Sequence, residues 1–399
     1  MTDSHADRAR VVVAGAGMAG IEAALALRAF AGERATVELI DPGRRFRLAA
    51  TAVGQAFGMG SGVDLPLGTV AARAGASLRP GRLAAVDAPR HVAMLAGGEL
   101  LTYDRLLIAV GARAEAFLPE ALTFTGHREA GDVRRLIEDI ADASARGGQT
   151  DLAIVVPAGC GWPLAAYELA LLARAQLRER GGEGETRITV VTAEDTPLAV
   201  FGPEASAAMA GELRAAGIAV RTGSIARDWR WGRLELAGGE PLAVDRLIAL
   251  PVLRGPAIEG LPADGHGFVR SAPDGAVPEA PDVWAVGDAG SFPVKQGGIA
   301  CQQADAAAAA IARDLGADPP ELPFAPALRG WVWDGGAGHF LRADLRGGRD
   351  ESSGVAGRSP LWWPVAKVGG RFLAPFLQGL PPEPALADVP AIQPVGPAR

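Results

Sequence analysis

The residue types best suited to chemistry in this chain are a glycine run, a few acids, two cysteines and two lysines. Gly15-Ala16-Gly17-Met18-Ala19-Gly20 fits G-x-G-x-x-G. In that pattern the first glycine makes a tight turn, the second lets a pyrophosphate approach the backbone, and the third lets a helix pack closely on a strand. The helix that follows offers free N–H groups and the positive end of its dipole to an anion. Asp41 stands about 20 residues further on, where a carboxylate accepts ribose hydroxyls. A second turn, Val156-Pro157-Ala158-Gly159-Cys160-Gly161-Trp162-Pro163-Leu164, keeps Gly159 and Gly161. Its third glycine position is Leu164, and Trp162-Pro163 brings bulk and a missing N–H to where a phosphate would come. Positive charge is carried almost wholly by arginine, and Lys295 and Lys367 are the two lysines. Cys160 and Cys301 are the two cysteines, with no metal-ligand spacing, so no metal site is expected. They are either a redox pair or buried, inert thiols.

The elements that must hold these residues follow from the patterning. Val11–Ala14 reads as a strand, and the residues after the glycine turn as an Ala/Leu-rich helix with apolar positions at helical spacing. Thr36–Ile40 reads as the next strand, stopped by Pro42-Gly43. The same order recurs as a strand at Leu152–Val156, a helix from about Leu164 to Arg180 and a strand at Arg187–Thr192. Tyr103–Ala109 is echoed by Val244–Leu250, each preceded by a hairpin, at His91–Leu101 with Gly97-Gly98 and at Arg233–Leu242 with Gly238-Gly239. Val283–Val286 then leads into Gly287-Asp288, and a helix begins near Gly297 with the Gly298 and Ile299 amides unpaired. The expected fold is α/β, with two Rossmann-like nucleotide-binding domains, the second inserted in the first, and a small C-terminal region. The corresponding segments are 1–115 and 246–325 for the first domain, 116–245 for the second, and 326–399 for the remainder.

Gly15–Gly20, the stretch Tyr103–Ala112 and Val283–Asp288 followed by Phe292–Gly298 together resemble the pyridine nucleotide-disulfide oxidoreductase superfamily. More narrowly, they are similar to the branch of type II NADH:quinone oxidoreductases and sulfide:quinone oxidoreductases. The resemblance implies an FAD-dependent oxidoreductase with FAD on Gly15, Ala16, Gly17, Met18, Ala19, Gly20 and Asp41. It also implies that Asp288 holds the ribityl chain beside Gly287, and that Val110 and Gly111, where relatives carry Ala-Thr-Gly, line the cofactor. Lys295 and Gln296, with the amides of Gly298 and Ile299, would face the flavin and favour negative charge on it. Two electrons would pass from a donor, NAD(P)H first among the candidates, to an acceptor of quinone type. A nicotinamide nucleotide would rest on Gly159 and Gly161, with Glu194 at its ribose. A sulfide- or thiol-oxidising flavoprotein using Cys160 and Cys301 is the alternative. In such relatives the first cysteine falls near Trp162, and Leu322–Gly335 holds no cysteine here. A non-catalytic flavin-binding redox sensor or assembly module is the reading outside enzymes. Gln302 and Gln303 either line a quinone pocket or are ordinary polar positions.

The chain has 399 residues, 49% hydrophobic and 21% charged, with a net charge of −7. Such a balance supplies no basic field for nucleic acid. The start MTDSHADRAR is polar, and no apolar run reaches the ~20 residues of a membrane span. A cytoplasmic protein is expected, working at the inner face of the cell membrane if it meets a quinone. Pro360–Leu377 combines Trp362-Trp363 with an apolar row at Val365, Val368, Phe372 and Phe376 and with Lys367 and Arg371 one turn apart. That segment either lies on a membrane surface as an amphipathic helix or packs on the first domain or on the second subunit of a homodimer.

Overall fold

The computed structural model describes residues 8–60, 62–182, 184–345, 354–380 and 387–388. The polar start at 1–7 and much of 326–399, namely 346–353, 381–386 and 389–399, lie outside the described residues.

Strand β1 (Ala9–Ala14) runs into helix α1 (Met18–Phe30), and β2 (Ala35–Asp41), β3 (Ser77–Pro80) and β4 (Arg105–Ile108) follow. Val11 to Ala14 are fully buried, which is why this run has no polar alternation. The second unit contains β5 (Leu122–Thr123), α2 (Ala130–Ala145), β6 (Thr150–Val156), α3 (Leu164–Glu179), β7 (Thr186–Thr192), α4 (Pro203–Ala215), β8 (Ile218–Arg221) and β9 (Arg246–Ala249). The chain then returns to the first sheet through β10 (Val283–Ala285) and covers it with α5 (Gly297–Asp314). Last come β11 (Ala327–Val332), β12 (His339–Asp344), β13 (Gly354–Gly357) and the single turn α6 (Leu373–Leu377).

Two five-stranded parallel sheets result, ordered β10-β4-β1-β2-β3 and β5-β9-β6-β7-β8. Both are of the doubly wound, Rossmann-like kind, as the α/β reading expected. The first sheet contains residues from either side of the second in sequence. Strands β11 to β13 form a separate antiparallel sheet. The two expected hairpins form, with Gly98 and Gly238 in the left-handed region.

Register decides what meets at the sheet edge. Ala14 pairs with Ile40 and with Ile108, and Ala285 also pairs with Ile108. The residues just past these positions are Gly15, Asp41, Val110-Gly111 and Gly287-Asp288. They therefore share the carboxyl-terminal edge, where open parallel sheets hold ligands.

Candidate functional site

The three glycines of the first turn do three different things. A Cβ on Gly15, whose φ is +98°, would lie 2.3 Å from the Ala109 carbonyl oxygen, and one on Gly20 would lie 1.9 Å from the Gly15 oxygen. Those two are demanded by packing. A Cβ on Gly17 would meet nothing within 4 Å, so the space beside it is open to a ligand. Gly17 also caps α1 without a side-chain acceptor, and the first intrahelical bond is the Ile21 N–H to the Gly17 carbonyl at 3.0 Å. The Met18, Ala19 and Gly20 amides precede it and belong to the free set at a helix start. Asp41 accepts from the Ala16 amide at 2.8 Å and the Gly43 amide at 2.6 Å. Each carboxylate oxygen keeps a lone pair for a hydroxyl.

Across the sheet edge, Gly287 has φ +63° and donates its N–H to Gln303 Oε1 at 2.8 Å, while Gln303 Nε2 donates to the Pro273 carbonyl at 2.9 Å. Gln303 is therefore the residue that shapes the Gly287-Asp288 turn and not a pocket-lining group. Burial pushes the Asp288 carboxyl up, and nearby Lys295 pulls it back. Asp288 accepts no hydrogen bond from the described residues, which leaves a half-buried acceptor for a ligand hydroxyl. Gly111, with φ +73°, has open space where a side chain would stand, and Val110 packs against the strand core beside it.

Helix α5 corrects one expectation. Ile299 N–H is not free, because Gln296 Oε1 accepts it at 2.7 Å, and Gln296 Nε2 donates to the Arg329 carbonyl at 3.1 Å. Gln296 is thus the N-cap of α5 and a tether to β11, and it also lines the cavity between the units. The Gly298 amide has no acceptor among the described residues. Gln302 likewise serves the fold, donating to the Gly298 and Ala327 carbonyls and accepting from the Ala327 amide. Lys295 is buried, donates to the Gly290 carbonyl and stands 3.9 Å from the centre of the Phe268 ring. Burial pulls its pKa down to about 8, with Asp288 and Asp264 resisting.

A cavity of about 240 Å³ lies where all parts of the chain meet. Met18, Ala49 and Ala50 reach it from the first unit, Phe124, Cys160 and Trp162 from the second, and Asp288 and Lys295 from the returning segment. Glu168 of α3 and Lys367 complete it; the sequence marked Lys367 as one of two lysines, but not Glu168 as its partner. Lys367 Nζ donates to Glu168 Oε2 at 2.6 Å and to the Trp331 carbonyl, and sits 4.0 Å over the Trp333 ring. Burial pushes the Glu168 carboxyl up and the Lys367 amine down, and each partner opposes the other's shift. The signal available in sequence was the scarcity of lysine, together with an acid placed on the apolar face of a helix.

The second glycine turn is filled by protein. The Lys295 amide donates to the Gly161 carbonyl at 3.1 Å, and a Cβ on Gly161 would lie 2.5 Å from Lys295 Cγ. Helix α3 starts at Leu164 with Pro163 as its cap. Glu194 accepts from Tyr167 Oη at 2.6 Å, Thr192 Oγ1 at 3.0 Å and the Ala199 amide at 3.2 Å, and burial pushes its pKa up. Cys160 lines the cavity, its thiol pushed up to about 11 by burial. Cys301 is fully buried in α5, beside Glu22, Asp305 and Gly370, and does not line the cavity. Both are free thiols, and the structure does not bring them together.

The segment 360–377 forms no continuous amphipathic helix. Trp362, Val368, Phe372 and Leu373 are buried, Lys367 is in the ion pair above, and only the five residues of α6 are helical. Its anchor is Glu22 of α1, which accepts the Phe372 amide at 2.9 Å and the Leu373 amide at 2.5 Å. Among the described residues no helix is long and apolar enough to cross a membrane, and no group of three His, Cys, Asp or Glu is placed to hold a metal ion.

The family model of the pyridine nucleotide-disulphide oxidoreductases matches residues 9–310, and the chain belongs to that family. FAD is the cofactor of the family, with NAD(P)H used by some members. No curated protein sequence matches the chain significantly. Among solved structures, the sulfide:quinone oxidoreductase of Aquifex aeolicus superposes with a TM-score of 0.77 at 19% identity, over 88% of this chain and 87% of that one. A ferredoxin reductase of Rhodopseudomonas palustris gives 0.65 at 20% identity, over 84% and 82%. NDH2 of Plasmodium falciparum, in complex with NADH, gives 0.56 at 15% identity, over 71% and 64%. At these identities the likeness is one of fold.

Proposed function

We propose that this member of the pyridine nucleotide-disulphide oxidoreductase family is an FAD-dependent oxidoreductase that passes two electrons from a donor to a quinone-type acceptor. The observation that carries the reading is the shared sheet edge, where open space at Gly17, the Asp41 carboxylate and the unpartnered Asp288 carboxyl converge. A ligand with a pyrophosphate, a ribose and a polyhydroxyl chain matches those three groups in that order. When bound there, FAD supplies the two-electron redox centre.

The chain's own groups then have defined work. The free amides at the start of α1 hold the pyrophosphate, Asp41 accepts from the ribose, and Asp288 accepts from the ribityl chain. The Gly298 amide and the Lys295 ammonium supply positive charge that stabilises negative charge developing at the cavity. Lys367 holds its protons at a buried Nζ on the cavity wall, paired with the Glu168 carboxylate, within reach of an acceptor that must be protonated as it is reduced. A mechanism through a Cys160–Cys301 pair is not adopted, because only Cys160 faces the cavity. Acting on a quinone places the protein at the inner face of the cell membrane, and Trp363, 43% exposed, is the large apolar side chain of 360–377 that faces outward.

The purified protein is expected to be yellow with bound FAD, and after anaerobic photoreduction its flavin is expected to be reoxidised by a water-soluble quinone. A colourless protein that takes up no FAD sinks the reading. A flavin that quinones leave reduced removes the acceptor from it.

A further inference from the structure

Some relatives use NAD(P)H besides FAD, and the two glycine turns of this chain are directly comparable. A dinucleotide needs open backbone at the second glycine, free amides at a helix start, and an acid at the end of the next strand. The first turn offers all three. Each is altered in the second.

Beside Gly17 there is nothing within 4 Å of a built Cβ, whereas beside Gly161 the stem of Lys295 stands at 2.5 Å and the two backbones are hydrogen-bonded. Helix α1 begins at the residue after its second glycine, but α3 begins three residues after Gly161, and its cap is Pro163, which has no N–H. Trp162 packs on Phe201 with ring centres 5.6 Å apart. Leu164 and Phe201 in turn press on Gly330 of β11, where a Cβ would lie 2.7 Å from Leu164 Cδ1 and 2.8 Å from Phe201 Cζ. Glu194 is drawn inward onto Tyr167, Thr192 and Ala199. The interdomain cavity in front of α3 has a volume of about 240 Å³, below the ~300–1,000 Å³ of ordinary ligand pockets.

We infer that the second nucleotide-fold unit of this chain binds no nicotinamide dinucleotide, and that its electron donor is therefore not NAD(P)H. This rests on the FAD reading for the first unit. In place of a ligand, the second unit holds Lys295 and the cavity wall in position through Gly161, Trp162 and Leu164.

The test uses the FAD-loaded full chain under anaerobic conditions, with dithionite bleaching to show that the flavin is reducible. NADH and NADPH are each titrated to about 1 mM, the upper end of ordinary KM values. Flavin absorbance and amide hydrogen exchange over residues 157–166 are followed together. The expected result is no saturable bleaching and no added protection of those amides with either nucleotide. Saturable bleaching, or saturable protection of 157–166, overturns the inference while leaving the FAD reading intact. A protein that holds no FAD instead fails at the dithionite control, and the two failures are told apart there.

Discussion

Lys367 Nζ donates to Glu168 Oε2 at 2.6 Å across 199 positions of chain, with side chains only 6% and 1% exposed. Each of these charges gives up its hydration, and that loss is offset only while the other is present. Lys367→Met is therefore expected to lower stability by ~3–5 kcal/mol, because it leaves a buried carboxylate alone. The double substitution Glu168→Gln with Lys367→Met is expected to recover most of that loss. Chemical denaturation of the three proteins checks it, and a double variant as weak as the single one would show that the two groups do not act as a pair.

The first turn separates ligand contact from packing. Gly17→Ala is expected to fold with an unchanged melting temperature in the FAD-free state and to retain FAD at least ~10-fold less well, a loss of ~1.4 kcal/mol. Gly20→Ala places a Cβ 1.9 Å from the Gly15 oxygen and is expected not to accumulate as folded protein. Flavin content and melting temperature distinguish the two outcomes. Equal FAD retention by Gly17→Ala and the parent would remove the turn from the binding site.

Lys295 gives a pH signature. Its folded pKa of about 8 lies below the ordinary 10.5 because of burial. The buried charge costs stability below pH 8, and that cost fades as pH rises from about 8 towards 10.5. The ammonium is present below pH 8, so flavin reduction is expected to hold its rate there and to fall above it. Lys295→Met is expected to be slower by ~10-fold, or ~1.4 kcal/mol in barrier, and flat across that range. Stopped-flow reduction with a fixed donor measures both limbs, and an alkaline limb that survives in Lys295→Met assigns it to another group.

The carboxyl pair that anchors α6 titrates in the opposite sense. Burial pushes the Glu22 pKa up to about 7, against the Phe372 and Leu373 amides and Asp305, and burial also pushes up the neighbouring Asp305 while Arg371 pulls it down. A raised acid contributes stability that is whole below pH 4.5 and is lost as pH climbs to about 7, ~3 kcal/mol in all. The melting temperature is expected to fall over that window. Asp305→Asn, whose amide donates to Glu22, is expected to flatten the fall. Superimposable melting profiles for the two proteins would show that the pair does not control it.

Sequence alone was enough for features that live in a few neighbouring residues. Val11–Ala14 is apolar at every position because it is buried on both faces, and Gly15–Gly20 shows its turn because only glycine tolerates φ of +98° or a backbone atom 1.9 Å from its Cα substituent. Asp41 and Gly287-Asp288 were legible because each ends a recognisable strand. The tertiary structure alone decided the partners of polar side chains. Gln296 became a cap, Gln302 and Gln303 became braces, Glu194 turned inward, and the apolar row of 360–377 met α1 and α5 instead of a membrane surface. A strand or a glycine turn is set by local sterics and period, whereas a carboxylate, amide or ammonium takes whichever partner the packing of distant elements brings within 3 Å. For Lys367 that partner is Glu168.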